Sequence, residues 1–94
     1  MGESPPRLLD VRSAEEYAAG HVPGALSVPF EQLSARARAG ELGAPDAALA
    51  VVCAAGSRSA QACVRLTRVL GFADVRNVTG GTLAWQSAGL PLDT

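Results

Sequence analysis

Short apolar runs alternate along the chain with segments whose apolar residues recur at helical spacing. The clearest run, residues 49–53, contains two valines and no polar residue. Such a run is typical of a strand that is covered on both faces of a parallel sheet. Shorter apolar runs predict three further strands, at residues 7–11, 25–28 and 75–78.

Helical patterns fill the intervals between these strands and follow the last one. The first helix is predicted over residues 14–19, where Ser13 and Glu16 have the spacing of a capping box. The other helices are predicted at residues 31–39, 58–70 and about 82–87. Strands that alternate with helices predict an α/β fold, with a small, mainly parallel sheet and helices on both faces. Ligands of such sheets bind at the carboxyl ends of the strands.

Composition limits the possible size and partners of the protein. The 94 residues, 48% of them apolar, are expected to form one domain over residues 1–94, with a flexible N-terminus over residues 1–6. The net charge of −1 offers no basic surface for nucleic acid or an anionic membrane. No apolar segment has the length of a membrane span, and the N-terminus does not resemble a signal peptide, so a cytoplasmic location is expected. All eight basic residues are arginine, which favours a GC-rich bacterial genome.

The segment after the central apolar run, residues 53–59, is the strongest candidate for chemistry. Its sequence is Cys-Ala-Ala-Gly-Ser-Arg-Ser, and its small residues allow the backbone to turn several N–H groups toward one point. The following helix presents its positive N-terminal end to the thiol of Cys53. This helix end and the nearby guanidinium of Arg58 can lower a cysteine pKa from ~8.5 into the range ~3.5 to 7.5. We therefore predict that Cys53 is a nucleophile at neutral pH.

Each of the two cysteines has an alternative interpretation. Cys53 could be an ordinary buried cysteine, but the loop, the glycine and the arginine together favour a functional thiol. Cys63 shares the apolar stripe of its helix with Leu66 and Leu70, which predicts core packing; a resolving thiol is the alternative. The two cysteines are expected to lie beyond the ~7 Å Cα separation of a disulfide, and to be reduced.

Three segments in order resemble the rhodanese-like sulfurtransferase domain. Residues 53–59 resemble its active-site loop, written C-x-x-G-x-R-S. Residues 9–12 and 15–25 resemble its D-V-R and E-[FY]…G-H-[IV]-P-G-A signatures, and residues 80–91 resemble its closing G-G…W…G-[LY]-P stretch. The match extends over residues 8–92, and three motifs in the same order are far more specific than any one of them.

The resemblance implies a rhodanese-like fold and sulfur transfer through Cys53. The thiolate would take the outer sulfur of thiosulfate or a persulfide, hold it as a persulfide, and pass it to a thiol or cyanide acceptor. Arg58 would stabilise a charged donor or orient the loop. No metal or organic cofactor is implied, and a sulfur-carrier protein is a further candidate partner. The active-site loop would consist of Ala54, Ala55, Gly56, Ser57, Arg58 and Ser59.

Ala54 stands where several thiosulfate-using relatives carry a basic residue. This difference leaves room for a protein-bound persulfide as the donor. A docking or sulfur-relay module without catalysis is the first alternative, although the retained Cys53, Gly56 and Arg58 argue against it. Phosphatase or arsenate reductase activity is less favoured. Cysteine phosphatases use a longer C-x5-R loop around a tetrahedral phosphate, whereas Arg58 follows Cys53 here as C-x4-R.

Four other residues that could have a function are predicted to have structural roles instead. Asp10 and Arg12 resemble a structural pair of the family, and Arg12 is also spaced to reach Glu16 one helical turn on. His21 resembles a turn residue of the family whose ring bonds to the backbone. Trp85 is expected in the core.

Gly80 and Gly81 are expected to permit a close approach between two stretches of backbone, because glycine has no Cβ. We therefore expect them to line the mouth of the pocket.

Overall fold

The computed structural model describes residues 6–94, which fold as alternating parallel strands and helices. The flexible segment expected over residues 1–6 lies outside this range except for Pro6, which is exposed. The strands are β1 (Arg7–Asp10), β2 (Leu26–Ser27), β3 (Ala48–Val52) and β4 (Asp74–Asn77). The helices are α1 (Ala14–Ala19), α2 (Leu33–Arg38), α3 (Ser57–Arg68) and α4 (Gly81–Ser87), with a 3-10 turn at Phe30–Gln32 before α2.

All described strands are parallel and lie in the order β2-β1-β3-β4. The most apolar strand, β3, occupies an interior position and pairs with β1 and β4 along its length. Leu49, Val51 and Val52 are fully buried. The predicted α/β fold is confirmed, and so is the burial that the unbroken apolar run of β3 indicated.

The helices cover both faces of the sheet, as predicted. The β1-α1-β2 connection runs toward one edge, while the connections through α2 and α3 run toward the other. Since such crossovers are right-handed, α1 lies on one face and α2 with α3 on the opposite face. The guanidinium carbon of Arg65 on α3 lies 5.3 Å from the ring centre of Phe30, just before α2, which agrees with this placement.

The core lies between the sheet and the α2–α3 layer. Its largest fully buried members are leucines from β1, β3, both helices and the loop before β3, and Cys63 packs against it while half-buried. Trp85 does not belong to this core, contrary to expectation. Its ring is half-buried, and Nε1–H donates to the Pro91 carbonyl at 2.8 Å. The indole thus covers the C-terminal segment, where its polar edge finds an acceptor.

Some predicted boundaries differ from the structure. β3 ends at Val52, so Cys53 is the first residue after the strand and not its last. The helix predicted over residues 31–39 begins as a 3-10 turn, because the Phe30 N–H donates to the Val11 carbonyl and ties this turn to the sheet. Within residues 6–94, every helix is too short or too polar to cross a membrane.

Gly81 allows α4 to begin directly against the segment that follows β3. The N–H groups of Thr82 and Leu83 donate to the carbonyls of Cys53 and Ala54, at 2.8 and 3.0 Å. Gly81 has φ +57°, and a Cβ there would overlap the Cys53 carbonyl oxygen and lie 2.8 Å from the Ala54 oxygen. The close backbone approach expected at this glycine is therefore confirmed.

We expect Gly81→Ala to lower the free energy of unfolding by about 3 kcal/mol, because strain at positive φ adds to a backbone overlap. Gly89→Ala is the matched control. Gly89 has φ +78° and open space where its Cβ would stand, so only about 1 kcal/mol of backbone strain is expected. Urea unfolding followed by circular dichroism measures both. Equal losses in the two variants would show that the contact with the Cys53 carbonyl is not tight.

Candidate active site

Cys53 lies at the carboxyl end of β3 with its sulfur enclosed by the loop that leads into α3. The residue is 1% exposed. The Gly56 N–H donates to Sγ at 3.0 Å, and the thiol donates to Ser59 Oγ at 3.3 Å. Gly56 adopts φ +107° as the N-cap of α3, a left-handed conformation that glycine adopts readily. The structure therefore brings three residues of the predicted loop into contact.

Hydrogen bonds outweigh burial in setting the ionisation of this thiol. Burial alone would raise the pKa of Cys53. The Ser59 side chain and the backbone N–H groups of Ser59, Gly56 and Ala55 oppose burial, and together they hold the pKa below its ordinary value. The sulfur thus faces loop amides and the first turn of α3, an arrangement that favours a thiolate.

Asn77, at the end of β4, is a site residue that the sequence analysis missed. Its Oδ1 lies 2.5 Å from Ser59 Oγ, and its Nδ2–H donates to the Gly56 carbonyl at 3.4 Å. The Ser59 hydroxyl carries a single proton, so Asn77 Oδ1 and a Cys53 thiolate compete for it. The available signal was topological: the carboxyl ends of β3 and β4 are neighbours, and Asn77 is the polar residue at the second of them.

The guanidinium of Arg58 forms a bidentate ion pair with Glu16 on α1. Nη1 lies 2.8 Å from Oε1 and Nη2 lies 3.1 Å from Oε2. The hydrogen bond from Arg58, followed by that from the Ser13 backbone, lowers the pKa of Glu16 to about 2. Glu16 also accepts the Ser13 N–H, which confirms the predicted capping box.

Arg12 pairs with Asp10 and not with Glu16, which corrects one of the two expectations for this side chain. Its Nε and Nη2 contact the Asp10 carboxylate at 3.0 and 2.8 Å, and Nη2 also donates to the Gly20 carbonyl at 2.7 Å. Asp10 is fully buried, so its charge requires this partner. The scaffold role predicted for the Asp10–Arg12 pair is confirmed, because the pair ties the end of β1 to the end of α1.

The His21 ring also serves the scaffold, as predicted. Nδ1 lies 2.9 Å from the Tyr17 carbonyl, and the ring stacks on Tyr17 with 3.7 Å between ring centres. The remaining loop positions differ in exposure. Ala54 is half-buried, whereas Ala55 and Ser57 are exposed.

Cys63 has a different environment from Cys53. Both cysteines are free, and burial raises the pKa of the Cys63 thiol without any opposing hydrogen bond. At a given pH, the Cys63 thiol is therefore less ionised than the Cys53 thiol.

A cavity of about 230 Å³ lies between α1 and α4. Arg12, Glu16, Thr82 and Gln86 are among its lining residues, and Cys53 is not. In the described part of the chain, no three His, Cys, Asp or Glu side chains are grouped closely enough to hold a metal ion.

Comparison with known proteins places this geometry in a family. The model of the rhodanese-like domain matches residues 1–88. A sulfurtransferase of Allochromatium vinosum is 36% identical over 90% of this chain and 76% of its own length. The chain is also 40% identical to an HTH-type transcriptional regulator of Mycobacterium tuberculosis over 92% of its length, but spans only 37% of that protein.

A solved structure agrees with the sequence relatives. The crystal structure of a rhodanese-like domain from Anabaena sp. superposes with a TM-score of 0.82 at 33% identity, covering 96% of this chain and all of that one. The sheet order, the loop around Cys53 and these similarities lead to one conclusion: the chain belongs to the rhodanese-like domain family.

Proposed function

We propose that this domain is a sulfurtransferase that carries sulfane sulfur on Cys53. The observation that carries the proposal is the set of hydrogen-bond donors around Sγ, which lower the pKa of the thiol despite its burial. The same donors suit a persulfide anion, whose charge lies one atom farther out. The similarity to the Allochromatium sulfurtransferase supports the same reaction class.

The reaction takes two displacements at sulfur. The Cys53 thiolate attacks the outer sulfur of a donor such as thiosulfate, the donor S–S bond breaks, and sulfite leaves with the electron pair. The product is a Cys53 persulfide anion. An acceptor thiolate or cyanide then attacks the outer sulfur and regenerates the Cys53 thiolate. The chain's own part is to ionise Cys53 and to hold the charged sulfur.

Donor and acceptor are proposed as classes. The donor is thiosulfate or a persulfide, the acceptor is a small thiol, cyanide or a sulfur-carrier protein, and the setting is a bacterial cytoplasm, where thiols stay reduced. The two free cysteines are compatible with that setting. Phosphatase chemistry is less well supported, because the Arg58 guanidinium is bound to Glu16 and the C-x4-R loop is short for a phosphate.

The first test follows the sulfur itself. We expect the protein to gain one sulfur atom on Cys53 when it is treated with excess thiosulfate or a persulfide donor, and to lose it on addition of cyanide. Intact-mass spectrometry measures both steps. Cys63→Ser should keep the adduct and Cys53→Ser should lose it. No adduct with either donor would favour the docking alternative, and an adduct that survives Cys53→Ser would identify Cys63 as the carrier.

A second test concerns the hydrogen bonds that ionise Cys53. We expect Ser59→Ala to raise the pKa of Cys53, because the Ser59 side chain is one of the groups that lower it. Less thiolate would then be present at neutral pH. The pH dependence of iodoacetamide alkylation measures this pKa, and Ser87→Ala, at an exposed position of α4, is the control. An unchanged profile in Ser59→Ala would mean that the loop amides ionise Cys53 alone.

A further inference from the structure

We propose that Glu16 selects the charge of the sulfur donor: by holding Arg58, it withdraws the loop's one cationic side chain from small dianions and favours donors of lower charge. This inference rests on the proposed sulfur transfer, and it makes Glu16 a specificity-determining residue that acts through Arg58.

Both terminal nitrogens of the Arg58 guanidinium are used in the ion pair with Glu16. They contact the two carboxylate oxygens of Glu16, and Glu16 is held in turn by the Ser13 N–H. The pKa of Glu16, lowered to about 2, keeps the carboxylate charged throughout the neutral range. At the pH of an ordinary assay, Glu16 therefore stays charged and its ion pair with Arg58 is kept.

Among the described residues, the two arginines identified at this site, Arg12 and Arg58, are both paired with carboxylates. Arg58 is the only charged residue between Leu49 and Cys63, and the neighbouring Arg12 is bound to buried Asp10. A thiosulfate dianion that approaches the Cys53 thiolate thus meets two neutralised ion pairs and a negative sulfur. The negative sulfur repels a dianion, whereas a donor with less charge meets less repulsion.

The ion pair is accessible enough for Glu16 to compete with a donor. The side chains of Arg58 and Glu16 are 40% and 38% exposed. Pairs at this exposure are individually weak, so the selection is graded. We expect the charge of Glu16 to change donor preference by roughly threefold to tenfold.

Glu16→Gln tests the proposal with little disturbance of the fold. Glutamine also fits the third position of a capping box, so the start of α1 is kept while the charge is removed. Two donors of similar size are compared: thiosulfate, with charge −2, and methanethiosulfonate, with charge −1. Glu16→Gln should raise the ratio of kcat/KM for thiosulfate to that for methanethiosulfonate by roughly fivefold. Glu15→Gln, at an exposed acidic position in the same turn, should leave the ratio unchanged.

Alkylation of Cys53 gives a readout that does not depend on sulfur transfer. Glu16→Gln should raise the rate with anionic iodoacetate relative to neutral iodoacetamide, and Arg58→Ala should lower it. The double variant should return the ratio toward the wild-type value, because both charges are then absent. If all variants fail to transfer sulfur but the alkylation ratios shift in this way, the proposed function fails and the charge assignment stands.

Two results would overturn the inference. In the first, Glu16→Gln changes the alkylation ratio no more than Glu15→Gln does. In the second, the double variant keeps the ratio of Glu16→Gln, so that Arg58 is not the cation responsible. Circular dichroism verifies that each variant is folded. If Glu16→Gln does not fold, the alkylation of Arg58→Ala tests the proposal instead. An unchanged ratio of iodoacetate to iodoacetamide alkylation in that variant contradicts the proposal.

Discussion

In the segment after β3, the backbone carbonyl groups need hydrogen-bond donors on one side. The backbone N–H groups of the same segment must point at a sulfur atom on the other side. The carbonyls of Cys53 and Ala54 accept the first free N–H groups of α4. The N–H groups of Ala55 and Gly56 are thereby available to Cys53. Buried backbone groups require partners, so this division couples the last helix of the chain to the reactive loop.

Two glycines, one in α4 and one in the loop, permit this arrangement. Gly81 lets α4 lie close enough for its N–H groups to donate to the carbonyls of Cys53 and Ala54, since a Cβ would overlap the Cys53 oxygen. Gly56 takes a positive φ and turns the chain into α3. β3 lies between β1 and β4, so the loop is anchored on both flanks of the strand that carries it. The position of the sulfur thus depends on the sheet and on two helices.

The local sequence predicted the features that depend on local structure. The prediction failed where a residue's role depends on a partner that is distant in the sequence. The strands, the capping box at Ser13 and the loop after β3 follow from periodicity and spacing over a few residues. The partner of Arg58 lies 42 positions away. Asn77 was missed because its role appears only when the ends of β3 and β4 are adjacent. Trp85 looked like a core residue by type, but the short α4 places it over the C-terminal segment.

The charges around the site are paired, and this determines which forces act on Cys53. Asp10 neutralises Arg12 and Glu16 neutralises Arg58, so net positive charge contributes little to ionising the thiol. Hydrogen bonds from fixed donors act over a short distance and are screened by salt less than charges at the surface. Under the proposed sulfur transfer, they would also remain in place when the charge moves from the thiolate to a persulfide. A site that ionises its nucleophile with hydrogen-bond donors can therefore be selective about the charge of its donor and keep the same reactive thiolate.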